Sequence, residues 1–150
     1  MLKEILSVSG KPGLFKLISQ GKNMFIAESL IDHKRIPVYM RDKVVSLSDI
    51  SIYTEEEDVP LGKILQQIKE KENGKAIDFD PAAITPEELK SWFAAIVPDF
   101  DKQRVYPSDI KKVMLWYNLL IRANLTDFIE EEENEEQKET EENAESSENN

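Results

Sequence analysis

The 150-residue chain has no cysteine, a single histidine and only five glycines. Without cysteine there is no disulfide framework and no thiolate nucleophile. One histidine leaves any metal to oxygen ligands, which argues against a zinc site. No apolar run approaches the roughly 18 residues of a membrane-spanning helix. Met1-Leu2-Lys3-Glu4-Ile5-Leu6 also lacks the apolar stretch and small-residue cleavage site of a secretory signal. These absences predict a cytoplasmic protein with no cofactor, held together by side-chain packing.

Catalytic signatures are missing as well. Gly10-Lys11-Pro12-Gly13 has two glycines but neither the spacing nor the Lys-Ser/Thr pair of a phosphate loop, and no dinucleotide fingerprint occurs. His33 would have to serve any serine triad, yet no G-x-S-x-G elbow accompanies it, and in its predicted turn it reads as an exposed residue. The run from Asp99 to Ile110 begins like a calcium loop with Asp-x-Asp. Arg104 then stands where the sharp turn needs glycine, and Ile110 where a bidentate carboxylate is needed. The plainer expectation is that Asp99 or Asp101 pairs with Lys102 or Arg104, and that Ser108 or Asp109 caps the following helix. Asp78 and Asp80 flank Phe79 with no sign of the burial that a general acid requires. No enzyme is predicted.

What the chain does have is uneven charge. Of the formal net −11, the tail 130–150 carries eleven glutamates against Lys138 alone. Residues 55–129 hold 14 acids and 10 bases, whereas residues 1–54 hold 5 acids and 8 bases. Only Ala144 in the tail is apolar, so that segment cannot bury enough surface to offset chain entropy and is expected to be a disordered acidic arm.

The periodicity predicts an α+β fold. Residues 4–9, 14–19, 24–31, 36–40 and 50–53 read as short strands separated by Gly10-Lys11-Pro12-Gly13, Gly21-Lys22-Asn23 and Asp32-His33-Lys34-Arg35. Ile36, Val38 and Met40 alternate with Pro37, Tyr39 and Arg41, and Pro37 marks an edge or bulge. Ser48-Asp49 starts one helical turn. Strands this short, joined this closely, suggest a small SH3-like β-barrel over 1–54. The period then becomes helical. Leu61, Ile64, Leu65 and Ile68 form a stripe that Asn73-Gly74 ends. Thr85-Pro86-Glu87-Glu88 opens a second helix with Leu89, Trp92, Phe93 and Ile96 on its buried face. Pro107-Ser108-Asp109 opens a third, so apolar that only Lys111, Asn118 and Arg122 look solvated. Residues 55–129 thus form a helical domain packed on or beside the barrel, with 55–58 as a solvated acidic link.

Two function classes stay open. In the first, the chain is a non-enzymatic interaction or adaptor module for another protein, and an exposed patch at Trp92, Trp116 or Tyr117 would serve it. The second is a nucleic-acid-binding regulator of RNA or single strands. It would use Lys11, Lys16, Lys22, Lys34, Arg35, Arg41 and Lys43 among Phe15, Phe25, Tyr39 and Tyr53, with the acidic tail as competitor. Alternate turns of a meander lie at opposite ends, which divides Lys11, Lys34 and Arg35 from Lys22, Arg41 and Lys43 and weakens that second reading. Phe15 and Phe25 also suit a core better than a stacking platform.

Three separated segments carry a resemblance: residues 3–14 (Lys3-Glu4-Ile5-Leu6-Ser7-Val8 through Leu14), Ile52-Tyr53-Thr54-Glu55-Glu56-Glu57, and residues 104–113 on to Trp116-Tyr117-Asn118. Together they resemble a family of small uncharacterised bacterial proteins, a domain of unknown function, over roughly residues 2–122. The resemblance implies a cytoplasmic bacterial protein acting as one unit and supplies no site residue, activity or cofactor.

Overall fold

The structure, a computed structural model, describes residues 1–129. The expected disordered arm at 130–150 lies outside the described residues. After a single 3₁₀ turn at Leu2–Glu4, five strands follow: β1 Ile5–Val8, β2 Phe15–Gly21, β3 Met24–Ser29, β4 Arg35–Tyr39 and β5 Val44–Ser46. They form an antiparallel sheet in the order β4-β3-β2-β1-β5. A second 3₁₀ turn at Leu47–Asp49, with Ser46 as its cap, leads to a two-stranded hairpin of β6 Ser51–Ile52 and β7 Val59–Pro60. Helices α1 Leu61–Lys71, α2 Pro86–Ala94 and α3 Pro107–Arg122 complete the fold.

Two strand expectations need correction. The fifth strand of the sheet is β5, a three-residue run too short to show a period, and not the predicted 50–53, which pairs instead with β7. Residues 55–58 are the exposed tip of that hairpin and not an open link. Thr54 faces Phe100 across an isolated bridge, with the Glu55 N–H on Asp99 O at 2.8 Å and the Asp101 N–H on Tyr53 O at 2.9 Å.

The sheet is strongly coiled, and the registers show why. Tyr39 lies opposite Met24 at one end of the sheet, whereas Val44 lies opposite Val8 at the other. On a flat sheet the two would be roughly 30 Å apart, at about 4.8 Å per strand and 3.3 Å per residue. Residues 40–43 can reach at most about 18 Å. The sheet must therefore roll, and the register shift between Leu17 and Ser19 is a bulge of the kind that adds such twist. It does not close into a barrel: among the described residues β4 and β5 do not pair. Pro37 has no N–H to offer on the β4 edge, the Tyr39 N–H is taken by Asp42 Oδ2 at 2.8 Å, and β5 is short.

One hydrophobic cluster joins Leu2, Ile5, Leu14 and Leu47 to the buried faces of the three helices, including Leu61, Ile64, Leu65, Ile68, Phe93, Ile110, Val113 and Leu120. Phe93 meets Phe100 edge-on at 5.1 Å. A second, smaller cluster of Val8, Phe15, Ala27 and Val38 is flanked only by sheet residues, Phe25, Ile36 and Val44. The coiled sheet covers that face by itself. Thr85 caps α2 by accepting from the Glu88 N–H at 3.2 Å, and Asp109 Oδ2 accepts from the Tyr106 N–H at 2.9 Å at the start of α3.

Candidate interaction groove

The α3 face turned to solvent differs from the expected one. Asn118 is buried, and its side chain grips a backbone: Oδ1 accepts from the Ile77 N–H at 2.7 Å and Nδ2 donates to Ile77 O at 3.0 Å. Next to it the buried Tyr117 Oη donates to Lys75 O at 2.7 Å. Burial pushes the Tyr117 phenol up to about 12, with the negative charge of Glu72 adding to the shift. These three bonds hold the extended chain after α1 alongside α3. The residues left exposed on α3 include Lys112, Leu115 and Arg122.

A groove of about 530 Å³ runs between this chain and the sheet. Leu115, Asn118, Leu119 and Arg122 of α3 form its floor. Ile77, Asp78, Phe79 and Pro81 make one wall, and Pro12, Gly13 and Ile31 from two sheet turns make the other. Ile31 is 55 % exposed and Leu115 39 % exposed, large apolar side chains open to solvent within one concave surface. Gly13 lets its wall close against the floor: its φ is +76°, and a Cβ there would sit 2.5 Å from Ile31 Cδ1 and 3.5 Å from Leu119 Cδ1. Arg122 and Asp78 put one charge of each sign on the lining.

A second hollow of about 230 Å³ lies between β6 and the start of α3. At its mouth the Arg104 guanidinium stacks on Tyr53 at 4.2 Å, while its Nε donates to Asp101 Oδ2 at 2.8 Å. That hydrogen bond and the Gln103 N–H hold the Asp101 carboxyl below its ordinary range. The expected Asp101–Arg104 pairing thus forms.

Comparison with known proteins bears on the family and the fold. Two family models cover most of the described residues: a domain of unknown function (DUF5606) over residues 2–47 and a domain of unknown function (DUF6852) over residues 50–120. A solution NMR structure from Bacteroides vulgatus shares 49 % identity over 85 % of this chain and 91 % of that one, with a TM-score of 0.70. The chain belongs to this family of domains of unknown function. No curated protein matches it. In this family member the groove lies where the two matched segments meet, with Pro12, Gly13 and Ile31 from one, Ile77 through Leu119 from the other, and Arg122 just beyond it.

The residues singled out in the sequence are scattered. Lys11, Lys22, Lys34 and Arg41 sit in separate sheet turns. Lys43 departs from the expected division between the two ends. Its carbonyl accepts from the Ser9 N–H at 2.9 Å, which brings it to the same end as Lys11. Lys16 lies opposite Glu28, which lies opposite Arg35, and Arg35 Nε donates to Glu28 Oε1 at 3.3 Å. Of the aromatic residues, Tyr117 is wholly inside the core and Trp116 is 9 % exposed against the smaller hollow. Trp92 is half-buried with the Lys71 ammonium 5.3 Å above its ring. Tyr117 and Trp116 therefore cannot form the exposed patch expected of them, because a stripe this apolar is consumed by packing. Among the described residues no group of three or more His, Asp or Glu could hold a metal, and no helix is long and apolar enough to cross a membrane.

Sequence reasoning missed Ile31, Phe79 and Leu115. A signal existed for Leu115. At about 100° per residue it falls some 140° from Ile110, between Arg122 and Leu119 on what is otherwise the polar side of α3.

Proposed function

We propose that this chain is a non-enzymatic protein-interaction module, cytoplasmic and bacterial, that takes an apolar segment of a partner protein into the groove between α3 and the sheet turns. The observation that carries this reading is the co-exposure of Ile31 and Leu115 in one concave apolar surface, since monomeric surfaces seldom leave large side chains open in a hollow without use. The coiled sheet serves as its rigid support. Its strand order, the bulge after Leu17 and its self-covered face support reading it as an SH3-like barrel that lacks the closing strand pair.

Quantitative affinity capture from a native extract tests the function, using full-length wild type, Ile31→Glu, Leu115→Glu and Met40→Glu. Met40 is 81 % exposed in a turn away from the groove residues. The same partner should be lost with both groove variants and kept with Met40→Glu. Capture unchanged by either groove substitution overturns the reading. The nucleic-acid alternative has less support, because Arg35 is paired with Glu28, Lys16 lies in β2, and Lys11, Lys22, Lys34 and Arg41 occupy separate turns.

A further inference from the structure

Residues 75–84 join α1 to α2 without forming helix or strand. Ile77 is the one buried residue among them; Phe79 and Ile84 are half-buried and the rest are exposed. The segment starts at a joint of two left-handed residues, Asn73 at φ 56° and Gly74 at φ 77°, and finishes at Thr85, the cap of α2. Its local bonds lie at its two ends: the Lys75 N–H reaches Glu72 O, the Ala82 N–H reaches Asp80 Oδ1, and the Ala83 and Ile84 N–H groups reach Asp80 O. In between, the bonds to the rest of the fold come from two neighbouring α3 side chains, Tyr117 on Lys75 and Asn118 on both polar groups of Ile77.

We propose that residues 75–84 are a latched strap that opens as a local unit while the helices stay folded, with the Asn118 amide as the latch. Ile77 is the one buried side chain of the segment, and Phe79 and Ile84 pack only partly against the core, so it has less to lose on opening than the helices beneath it. Ile77, Asp78, Phe79 and Pro81 form a wall of the groove, so opening widens it and releases an amide already shaped to hold one extended residue by its N–H and C=O. The functional meaning rests on the groove reading; the motion does not.

Native-state hydrogen exchange of the full chain, followed by NMR across low urea concentrations, tests the latch. The Ile77 amide should exchange at least about tenfold faster than those of Leu65 and Phe93, with a rate nearly independent of urea, the mark of local opening. Asn118→Asp should raise the Ile77 rate further at neutral pH, where a carboxylate faces the Ile77 carbonyl. It should recover toward wild type in acid, where a protonated carboxyl again both donates and accepts. Rates at Leu65 and Phe93 should change by much less. An Ile77 amide that shares the rate and urea dependence of Leu65 and Phe93 in wild type overturns the proposal, even if the variant does not fold. Equal acceleration of all three amides by Asn118→Asp overturns it too. Failure of the capture experiment would leave this result untouched, which separates the two readings.

Discussion

The two hydrophobic clusters of the fold bury the sheet's apolar side chains in different company. Around β1 and the turns beside it, Leu2, Ile5, Leu14 and Leu47 sink into the cluster built by α1, α2 and α3. Val8, Phe15, Ala27 and Val38, one residue from each of β1 to β4, instead meet only other sheet residues. The first region is braced by aromatic contacts such as Phe93–Phe100 at 5.1 Å and Tyr117–Phe128 at 6.3 Å. The second holds Phe15, with Phe25 beside it, among smaller aliphatic groups, and relies on the roll of the sheet itself. Apolar burial scales with area, so the helical cluster should set global stability and the sheet cluster should govern only its own neighbourhood. The boundary between the two matched family segments, at residues 48–49, is therefore not where packing changes.

The sharpest way to break this contrast is a pair of cavity substitutions. Phe93→Ala should cost about 3–5 kcal/mol in urea unfolding, because a fully buried ring leaves a large void. Val38→Ala should cost about 2 kcal/mol, from two lost methyl groups and a small cavity. Equal costs would mean that the clusters act as one.

Two glycines in the β1–β2 turn refine the comparison at the junction. Gly10→Ala, at φ +81° with open space around it, should cost about 1–2 kcal/mol from backbone conformation alone. Gly13→Ala meets Ile31 as well. Because that side chain is half exposed and can swing aside, its cost should exceed that of Gly10→Ala by less than about 1 kcal/mol. The Ile31 methyl resonances should shift in the second variant and not in the first.

On the helical side, Thr85→Ala removes the α2 cap and should cost about 1 kcal/mol by the same unfolding measurement. Alkaline titration tests the burial of Tyr117. Its folded value lies above the ordinary 10, so the neutral phenol favours the fold at lower pH. That contribution falls away between pH 10 and about 12. The urea midpoint should drop across that window, and Tyr117→Phe should flatten the slope. The smallest effect belongs to Asp101, whose folded value is lowered by Arg104 and the Gln103 N–H. Its contribution is present above the ordinary carboxyl value of 3.8 and lost as pH falls through the lower folded one. An NMR titration should place its midpoint below 3.8, and Arg104→Gln should move it back up.

Much of the fold is legible in the chain because its signals are local. The Thr85-Pro86 start, the Leu61 to Ile68 stripe and the Asn73-Gly74 stop describe α1 and α2 with no knowledge of their neighbours. Turn residues likewise place four of the five sheet strands. Val44–Ser46 escapes because three residues carry no period, and its strand exists only because β1 offers an edge to pair with. The site is less legible. Trp116 and Tyr117 look like contact residues on composition, yet large aromatic side chains bury the most area and are drawn inside. Asn118 looks solvated on the helical wheel and is buried because Ile77, 41 residues away, brings it both a donor and an acceptor.

Residue type and spacing along the chain were enough to set the helices, the turns, the acidic bias of the C-terminal segment and the absence of any cysteine thiolate. Each of these depends on neighbours within a turn or two, or on composition alone. The open edge between β4 and β5, the burial of Asn118 and the groove that joins Ile31 to Leu115 were decided in three dimensions. They depend on how far a four-residue connector can reach, and on which distant backbone arrives beside α3, quantities that exist only once the chain has folded.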